Sequence, residues 1–331
     1  MKIPQPPKTF YQLHEWKVHT NLANAIIEPS ICAAEEFIST QHPAIQYVCN
    51  NHIRDTTLTY HDTFQGNNEP PLSEPEVNTR IAVRMIGRNI TNALADKVKF
   101  GRAVKEHSLL DYSPQTYFSK EEAIGSAGDP ERLLFVKLRS GTRGENVVCV
   151  KHKELNTVAD FKDTHIIQEG IQNPVLYYGR KVVFRYYIFI FNKKIFISRH
   201  SGLIVHGDQY DPTVTDYKVH VQHNGKDSQA IRLPLEDIPN GKWWMDRIKE
   251  TTTAFLPVLE AARRDSSLFR YLIIGADGIP CIDNKVRLIE MNTHPAMVKP
   301  PLVDRVYVPV FSSMMLMTVA GINNGTWIQI V

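Results

Sequence analysis

Asp277, Glu290 and Asn292 fall in the run Tyr271-Leu-Ile-Ile-Gly-Ala-Asp277-Gly-Ile-Pro-Cys-Ile-Asp283-Asn284-Lys-Val-Arg-Leu-Ile-Glu290-Met-Asn292-Thr-His-Pro295, which reads strand, turn, strand. Apolar stretches on both sides of an Asp-Asn pair are a hairpin signal. If Asp283-Asn284 is a two-residue turn, Asp277 falls opposite Glu290, and period-two alternation puts Asn292 on the same face. Two facing carboxylates about 5 Å apart repel by about 3 kcal/mol at an effective dielectric of about 20. A bound Mg²⁺, which takes oxygen ligands, reverses that cost. The other reading is an exposed hairpin with acidic decoration, its register shifted by Pro280.

Three further stretches carry chemistry. Lys137 sits inside Leu133-Leu-Phe-Val-Lys137-Leu. An inward lysine there needs an anionic partner; otherwise it points outward at an alternating position. In the loop Ser140-Gly-Thr-Arg143-Gly-Glu-Asn146, glycines let backbone N–H groups approach a phosphate, and Lys137 and Arg143 add charge. A plain hairpin turn has a similar composition, and neither a P-loop pattern nor a G-x-G-x-x-G occurs. Arg185 lies in Val182-Val-Phe-Arg185-Tyr-Tyr-Ile, and Arg199 ends the return strand. With the turn centred on Asn192 the two arginines oppose each other, which is unfavourable unless an anion lies between them. Two solvated surface arginines are the alternative. His220-Val-Gln-His223 makes a poor zinc pair, since on a strand these positions point to opposite faces.

These residues need elements to hold them. Helical stretches are expected near 21–40 and over 79–108, with a strand at 44–49 and a Pro-rich polar connector at 66–78. A hairpin follows over 133–150, then a short strand at Ile166-Ile-Gln168, a longer one from Val182 to Phe191, and its return at Ile195 to Arg199. Residues 243–263 read as an amphipathic helix carrying Pro257, and 309–320 as a buried closing helix. The 331 residues, 43% hydrophobic and 22% charged, suit a soluble chain of two or three subdomains. A net charge of +3 is too small to indicate a nucleic-acid partner. Four scattered cysteines without C-x-x-C suggest neither a zinc site nor a disulfide framework. The N-terminus lacks the apolar core of a signal peptide, and the uncharged stretch 306–331 is broken by Pro309 and an Asn323-Asn324-Gly325 turn, so a cytoplasmic chain is expected.

In this order the motifs resemble the tubulin–tyrosine ligase-like branch of the ATP-grasp superfamily, over roughly residues 96 to 297. Asp96-Lys97 opens the matching region. Leu133-Leu-Phe-Val-Lys137 with Ser140-Gly-Thr-Arg-Gly looks like the family's lysine strand and flexible loop over the phosphates. Ile166-Ile-Gln168-Glu169-Gly-Ile171 resembles the hinge that holds adenine. Gly179-Arg-Lys181-Val-Val-Phe-Arg185 falls where the family has a glycine, basic residues and a terminal arginine. Leu288-Ile-Glu290-Met-Asn292-Thr-His-Pro295 is the most specific match. Departures are Val183 in place of an acidic residue, Glu169-Gly170 in place of Lys-Tyr, His220-Val-Gln-His223 in place of His-Leu-Thr-Asn, and His294 in place of a serine.

The resemblance implies an α+β ATP-grasp fold. Its expected parts are a small N-terminal α/β domain (1–95), a central β-rich domain (96–171) and a C-terminal antiparallel-sheet domain (172–331), with the nucleotide between the last two. It implies ATP contacts from Lys97, Lys137, Gln168, Glu169, Ile171, Lys181 and His220, with Mg²⁺ held by Asp277, Glu290 and Asn292. Arg185 and Arg199 would face the γ-phosphate and the acyl phosphate, and with Lys137 would act in catalysis. The implied activity is ATP- and Mg²⁺-dependent ligation of an amino acid to a carboxylate-bearing peptide or small molecule, with no nucleic-acid or membrane partner. Kinase chemistry on a hydroxyl and a nucleotide-binding scaffold without turnover are the rival expectations.

Overall fold

The run Arg180–Phe191 sorts its side chains into two sets by strand alternation, and almost all of both are buried. Val182, Phe184, Tyr186, Ile188 and Ile190 point one way, and Lys181, Val183, Arg185, Tyr187, Phe189 and Phe191 the other. A strand covered on both faces must lie at the centre of a layered structure. The computed structural model describes residues 9–11, 23–41, 46–48, 56–59, 80–84, 93–140, 144, 146–158, 164–221, 229–268, 270–293, 295 and 301–331.

The first strands are β1 (Thr9–Tyr11), β2 (Gln46–Val48), β3 (Thr56–Thr59) and β4 (Arg80–Arg84), with helix α1 (Ala23–Gln41). Helix α2 (Lys97–Glu106) precedes β5 (Thr116–Tyr117), α3 (Lys120–Ile124), β6 (Leu133–Leu138), β7 (Val148–Lys151) and β8 (His165–Glu169). The remainder holds β9 (Leu176–Tyr177), β10 (Arg180–Phe191), β11 (Lys194–Ser198), β12 (Gly202–Val205), α4 (Tyr217–His220), β13 (Ile231–Pro234), α5 (Gly241–Ala254), α6 (Leu256–Asp265), β14 (Arg270–Pro280), β15 (Val286–Asn292), α7 (Val308–Met315) and β16 (Trp327–Gln329).

Strands β5, β8, β6 and β7 make a four-stranded antiparallel sheet in that order. A ten-stranded sheet runs β13-β12-β10-β14-β4-β3, with β11, β15, β16 and β9 attached. One face of β10 and β14 packs against α5, α6 and α2 through Trp244, Ile248, Phe255, Leu259, Phe100 and Val104. On the other face, Phe191, Phe189, Tyr187, Tyr271 and Ile273 lie under α1 and α7, while Val183 and Ile279 lie outside this helical cover. Between the two zones stand Arg185 and Asp277. The same sheet face therefore changes from core to cleft within a few residues.

Hydrogen bonds to the backbone of β14 and β15 tie the neighbouring segments to the large sheet. Leu288 N donates to Tyr112 O at 2.8 Å, Ser113 Oγ to Leu288 O at 2.8 Å, and Val175 N to Pro280 O at 2.8 Å. These bonds set the spacing of the cleft between the sheets.

The α+β architecture with antiparallel sheets agrees with the expectation, and several local readings are corrected. Residues 80–84 form a strand, not part of a helix over 79–108: Arg80-Ile-Ala-Val-Arg pairs in parallel with both β3 and β14, and sheet pairing overrides local helix preference. The helix of that region starts at Lys97, where the Asp96 carboxylate accepts from Val98 N and Lys99 N at 2.9 and 3.1 Å. The expected helix over 243–263 is two, because Pro257 has no N–H to donate and suits only a first turn. The closing helix is longer than 309–320, with wide π turns over 303–307 and 316–320 flanking α7. The first 95 residues are not separate from the rest where they are described. Strands β3 and β4 extend the large sheet and α1 packs with α7, although β1 and β2 pair with each other. The connector at 66–78 lies outside the described residues. No helix among them is long and apolar enough to cross a membrane.

Gly275 sits at the centre of the sheet, paired with Tyr187 on one side and Asn292 on the other. A Cβ there would stand 2.6 Å from Pro295 Cβ and 3.4 Å from Arg185 Cδ. Gly275→Ala is therefore expected to lose about 1–3 kcal/mol of stability by overpacking, read as a lower urea midpoint. A midpoint equal to that of the unmodified chain contradicts this account of the packing.

Candidate functional site

Strand pairing brings the charged residues together. Arg185 on β10 is paired with Asp277 on β14, and Asp277 with Glu290 on β15. The opposition of Asp277 and Glu290 arises differently from the two-residue turn expected at Asp283-Asn284. Cys281 N donates to Lys285 O, which leaves a three-residue loop, with Asn284 in the left-handed region at φ 65°. A bulge between Asp277 and Gly278 then shifts the register by one. The two departures cancel at Asp277 and Glu290.

Arg185 grips Asp277 with two bonds, Nε to Oδ1 at 2.5 Å and a terminal guanidinium nitrogen to Oδ2 at 2.8 Å. Such a fork is the strong form of charged hydrogen bond. Burial disfavours the Arg185 charge, but Asp277 outweighs it and keeps the guanidinium protonated. Burial pushes the Asp277 carboxyl up, and Glu290 adds to that against the pull of Arg185. Burial acts on Glu290 too, yet Lys97 and Lys137 outweigh it and hold this carboxyl below its usual range. Lys97 Nζ stands 3.9 Å from Glu290 Oε2, and Asn292 Nδ2 donates to Glu290 Oε1 at 3.0 Å.

A cleft lies beside this row, and its lining includes Lys97, Lys137, Gln168, Glu169, Ile171, Lys181, His220, Asp277 and Glu290. Alternation along β6 turns Leu134 and Val136 into the core of the small sheet and Phe135 and Lys137 toward the cleft. Lys137 points inward, and its Nζ donates to Gln168 Oε1 at 2.6 Å. Lys181 Nζ donates to His220 O at 3.2 Å from the opposite sheet. Both ammonium groups lie over the Phe135 ring, at 5.7 and 5.3 Å from its centre. Burial lowers each of these lysines to about 8. Apolar walls close the slot on two sides: Phe135, Cys149, Val147 and Val221 on one, and Ile171, Val183, Ile204, Ile279 and Ile289 on the other.

His220 lies on the single turn α4 and not on a strand. Asp216 caps that turn, and the imidazole Nε2 meets Val214 O at 2.8 Å. Burial lowers its pKa, as does Lys181, so the ring is neutral and its backbone carbonyl is what serves the lysine. Glu169 accepts from Tyr117 OH at 2.6 Å and faces Arg132 Nε at 3.4 Å. Of the Ser140–Asn146 loop, residues 141–143 and 145, Arg143 included, lie outside the described residues. So do His223 and His294. Gly144 is held at the cleft, its carbonyl accepting from Tyr217 OH at 2.9 Å, at a φ of +75° that suits glycine.

Arg199 is not brought to the site. It is exposed, and its Nε donates to Gly325 O at 2.9 Å. The turn spans Asn192 and Lys193, and β11 pairs with β10 only as far as Ile188↔Ile197. Beyond that point β10 pairs with β12, which sets Gly202 and not Arg199 opposite Arg185. Sequence reasoning missed Phe135, Val147, Ile279, Ile289 and His206 as lining residues. Phe135 and Ile279 were legible, since each lies two positions from a named residue on the same strand face.

A divalent cation fits the donor set. Two carboxylates and an amide, all hard oxygen donors, meet at Asp277, Glu290 and Asn292, and the two carboxyl groups lie close enough to share a hydrogen bond. Among the described residues no three His, Cys, Asp or Glu side chains cluster as metal ligands, so the set here is two carboxylates and the Asn292 amide.

A search of curated proteins returns no match to this sequence. The family described as "Tubulin-tyrosine ligase family" matches residues 95–223. Among solved structures, the chain is similar to the C-terminal domain of Pby1 from K. lactis, described as an ATP-grasp enzyme interacting with the mRNA decapping enzyme Dcp2. The TM-score is 0.63 at 13% identity, covering 98% of each chain. Residues 95–223 thus carry the match to the tubulin-tyrosine ligase family, and the chain as a whole has a fold similar to that of an ATP-grasp domain.

Proposed function

We propose that the chain is an ATP- and Mg²⁺-dependent carboxylate–amine ligase. The observation that carries this reading is the row Arg185–Asp277–Glu290, at the edge of a slot whose other end is apolar and flanked by two lysines. A planar base suits the space between Phe135 and the isoleucine wall, with the Gln168–Ile171 backbone at its edge. Lys137 and Lys181 would then meet the phosphates, and Arg185 the terminal one.

In this reading an acceptor carboxylate oxygen attacks the γ-phosphorus, the bond to the β-phosphate oxygen breaks, and ADP leaves. An amine nitrogen then attacks the acyl carbon, inorganic phosphate departs, and the amine loses a proton. The chain supplies no nucleophile. Its residues position the partners and meet charge that spreads over the transferring phosphoryl group. Mg²⁺, held by Asp277, Glu290 and Asn292, would supply Lewis-acid neutralisation of the phosphates. Gly144, pinned to Tyr217, lines the cleft and would help to keep water from the acyl phosphate. The acceptor is a peptide or a small molecule, and the amine an amino acid. A scaffold without turnover has one observation in its favour: Arg185 already engages both oxygens of Asp277.

Glu290→Gln is expected to abolish Mg²⁺-dependent ADP release while its unfolding curve stays close to that of the unmodified chain. ADP release at unmodified rates in this variant would refute the metal assignment. Product mass separates the chemistries, since an added amino acid supports ligation and an added phosphate supports a kinase. ATP bound without ADP release, across carboxylates and amines, supports the scaffold.

The two lysines make a second expectation. With pKa values of about 8, they are mostly charged at neutral pH and lose protons as pH rises through 8. Polyphosphate binds the charged form, so ATP affinity should fall above pH 8, by up to about tenfold per pH unit for each lysine. Binding near pH 8 should take up protons, measured calorimetrically in buffers of different ionisation enthalpy. Affinity that is constant from pH 7 to 9.5, with no proton uptake, excludes the lysines as phosphate ligands.

A further inference from the structure

Two facing arginines need an anion between them, and spacing alone points to Arg199 as the cation opposite Arg185. The sheet supplies a different one. Strand β13 pairs with β12 as Ile204↔Arg232, and β12 pairs with β10 as Val183↔Ile204. Directly paired residues of antiparallel strands share a face, so Arg232 lies on the face of Val183, which lines the cleft. The adjacent row on that face runs Pro234, Gly202, Arg185, Asp277, Glu290. Its β12 member is a glycine, so along that row no side chain of β12 flanks Arg185, while Ile204 flanks Arg232 on the next row. Leu302 packs over the gap, 2.8 Å from where a Gly202 Cβ would be.

Tyr307, in the π turn that leads into α7, reaches the same place. Its ring is edge-on to Tyr187 at 6.4 Å, and Arg185, Arg232 and Asp277 all act on it electrostatically. Burial pushes the Tyr307 phenol up, against the pull of both arginines, so it remains a hydrogen-bond donor. Arg232 is half-buried, and Arg185 repels it. An anion between two guanidiniums and a phenol O–H turns that repulsion into attraction.

Resting on the ligase reading, we propose that Arg232, with Tyr307 beside it, forms an anion subsite that holds the acceptor's carboxylate next to Arg185. Arg185 then faces the transferring phosphoryl group while Arg232 orients the acceptor. The role falls to strand β13, which lies outside the resemblance's cation motifs. This division also explains why Arg199 is not needed at the site.

Succinate is the probe, added to the full chain saturated with ADP and Mg²⁺. Succinate should raise the melting temperature of the unmodified protein beyond the rise given by ADP. Arg232→Gln should lose the succinate increment and keep the ADP rise, which also shows that the variant is folded. Arg232→Lys should restore part of it, as a point charge without the planar fork. In turnover, Arg232→Gln should raise the KM for the acceptor by about tenfold or more and leave the KM for ATP within about twofold. Equal succinate increments in the unmodified chain and Arg232→Gln, or none in either, overturn the subsite. An ATP KM that rises as much as the acceptor KM overturns it too. The succinate measurement needs no turnover, so loss of the ligase reading and loss of the subsite are read separately.

Discussion

The buried fork between Arg185 and Asp277, with Glu290 on the next strand, is the interaction around which the molecule is organised. Two charges taken out of water cost several kcal/mol each, and their attraction recovers this only in good geometry. The geometry here is supplied by three neighbouring strands whose pairing is fixed by apolar residues on both sides. Removing one partner would strand the other, at a cost of about 3–5 kcal/mol. A hydrophobic trio would pack at least as well, so stability does not account for the row. Under the proposed function the row is explained by the metal that its carboxylates would hold and the phosphate that Arg185 would meet.

The sheet face on which the row lies has two occupations. From Tyr187 onward it is core, covered by α1 and α7, and before Arg185 it is the wall of a cleft. At the boundary, Tyr307 from the helical cover and Arg232 from β13 act on each other and on Arg185. The N-terminal residues take part through α1 and the parallel strands β3 and β4. Their described contribution is to cover and extend the sheet that carries the row.

The small sheet contributes the opposite wall and Lys137. Phe135 is shared by Lys137 and Lys181, one from each sheet, so the aromatic face helps to hold two like charges that desolvation alone would push toward neutrality. The backbone bonds between Tyr112 and Leu288, and between Val175 and Pro280, set the separation at which both lysines reach that ring.

Much of this was legible from spacing. The face shared by Asp277, Glu290 and Asn292 follows from alternation, as does the common side of Phe135 and Lys137, because side-chain direction along a strand is a local property; spacing left open whether that side faces inward. Even so, the opposition of 277 and 290 was reached through the wrong turn; a longer loop and a bulge compensate for one another, and sequence cannot distinguish that pair of departures from none. Arg199 and Arg232 show the limit. Which strand lies beside β10 at Arg185 depends on where β11 leaves and β12 takes over, a choice made by packing across the whole sheet. The same holds for Arg80–Arg84, helical by composition and a strand by its neighbours. Sequence alone determined which residues could carry charge on a common face, because alternation is written into the chain. Only the tertiary structure decided which of them meet, because strand order and register are set by contacts between residues far apart along it.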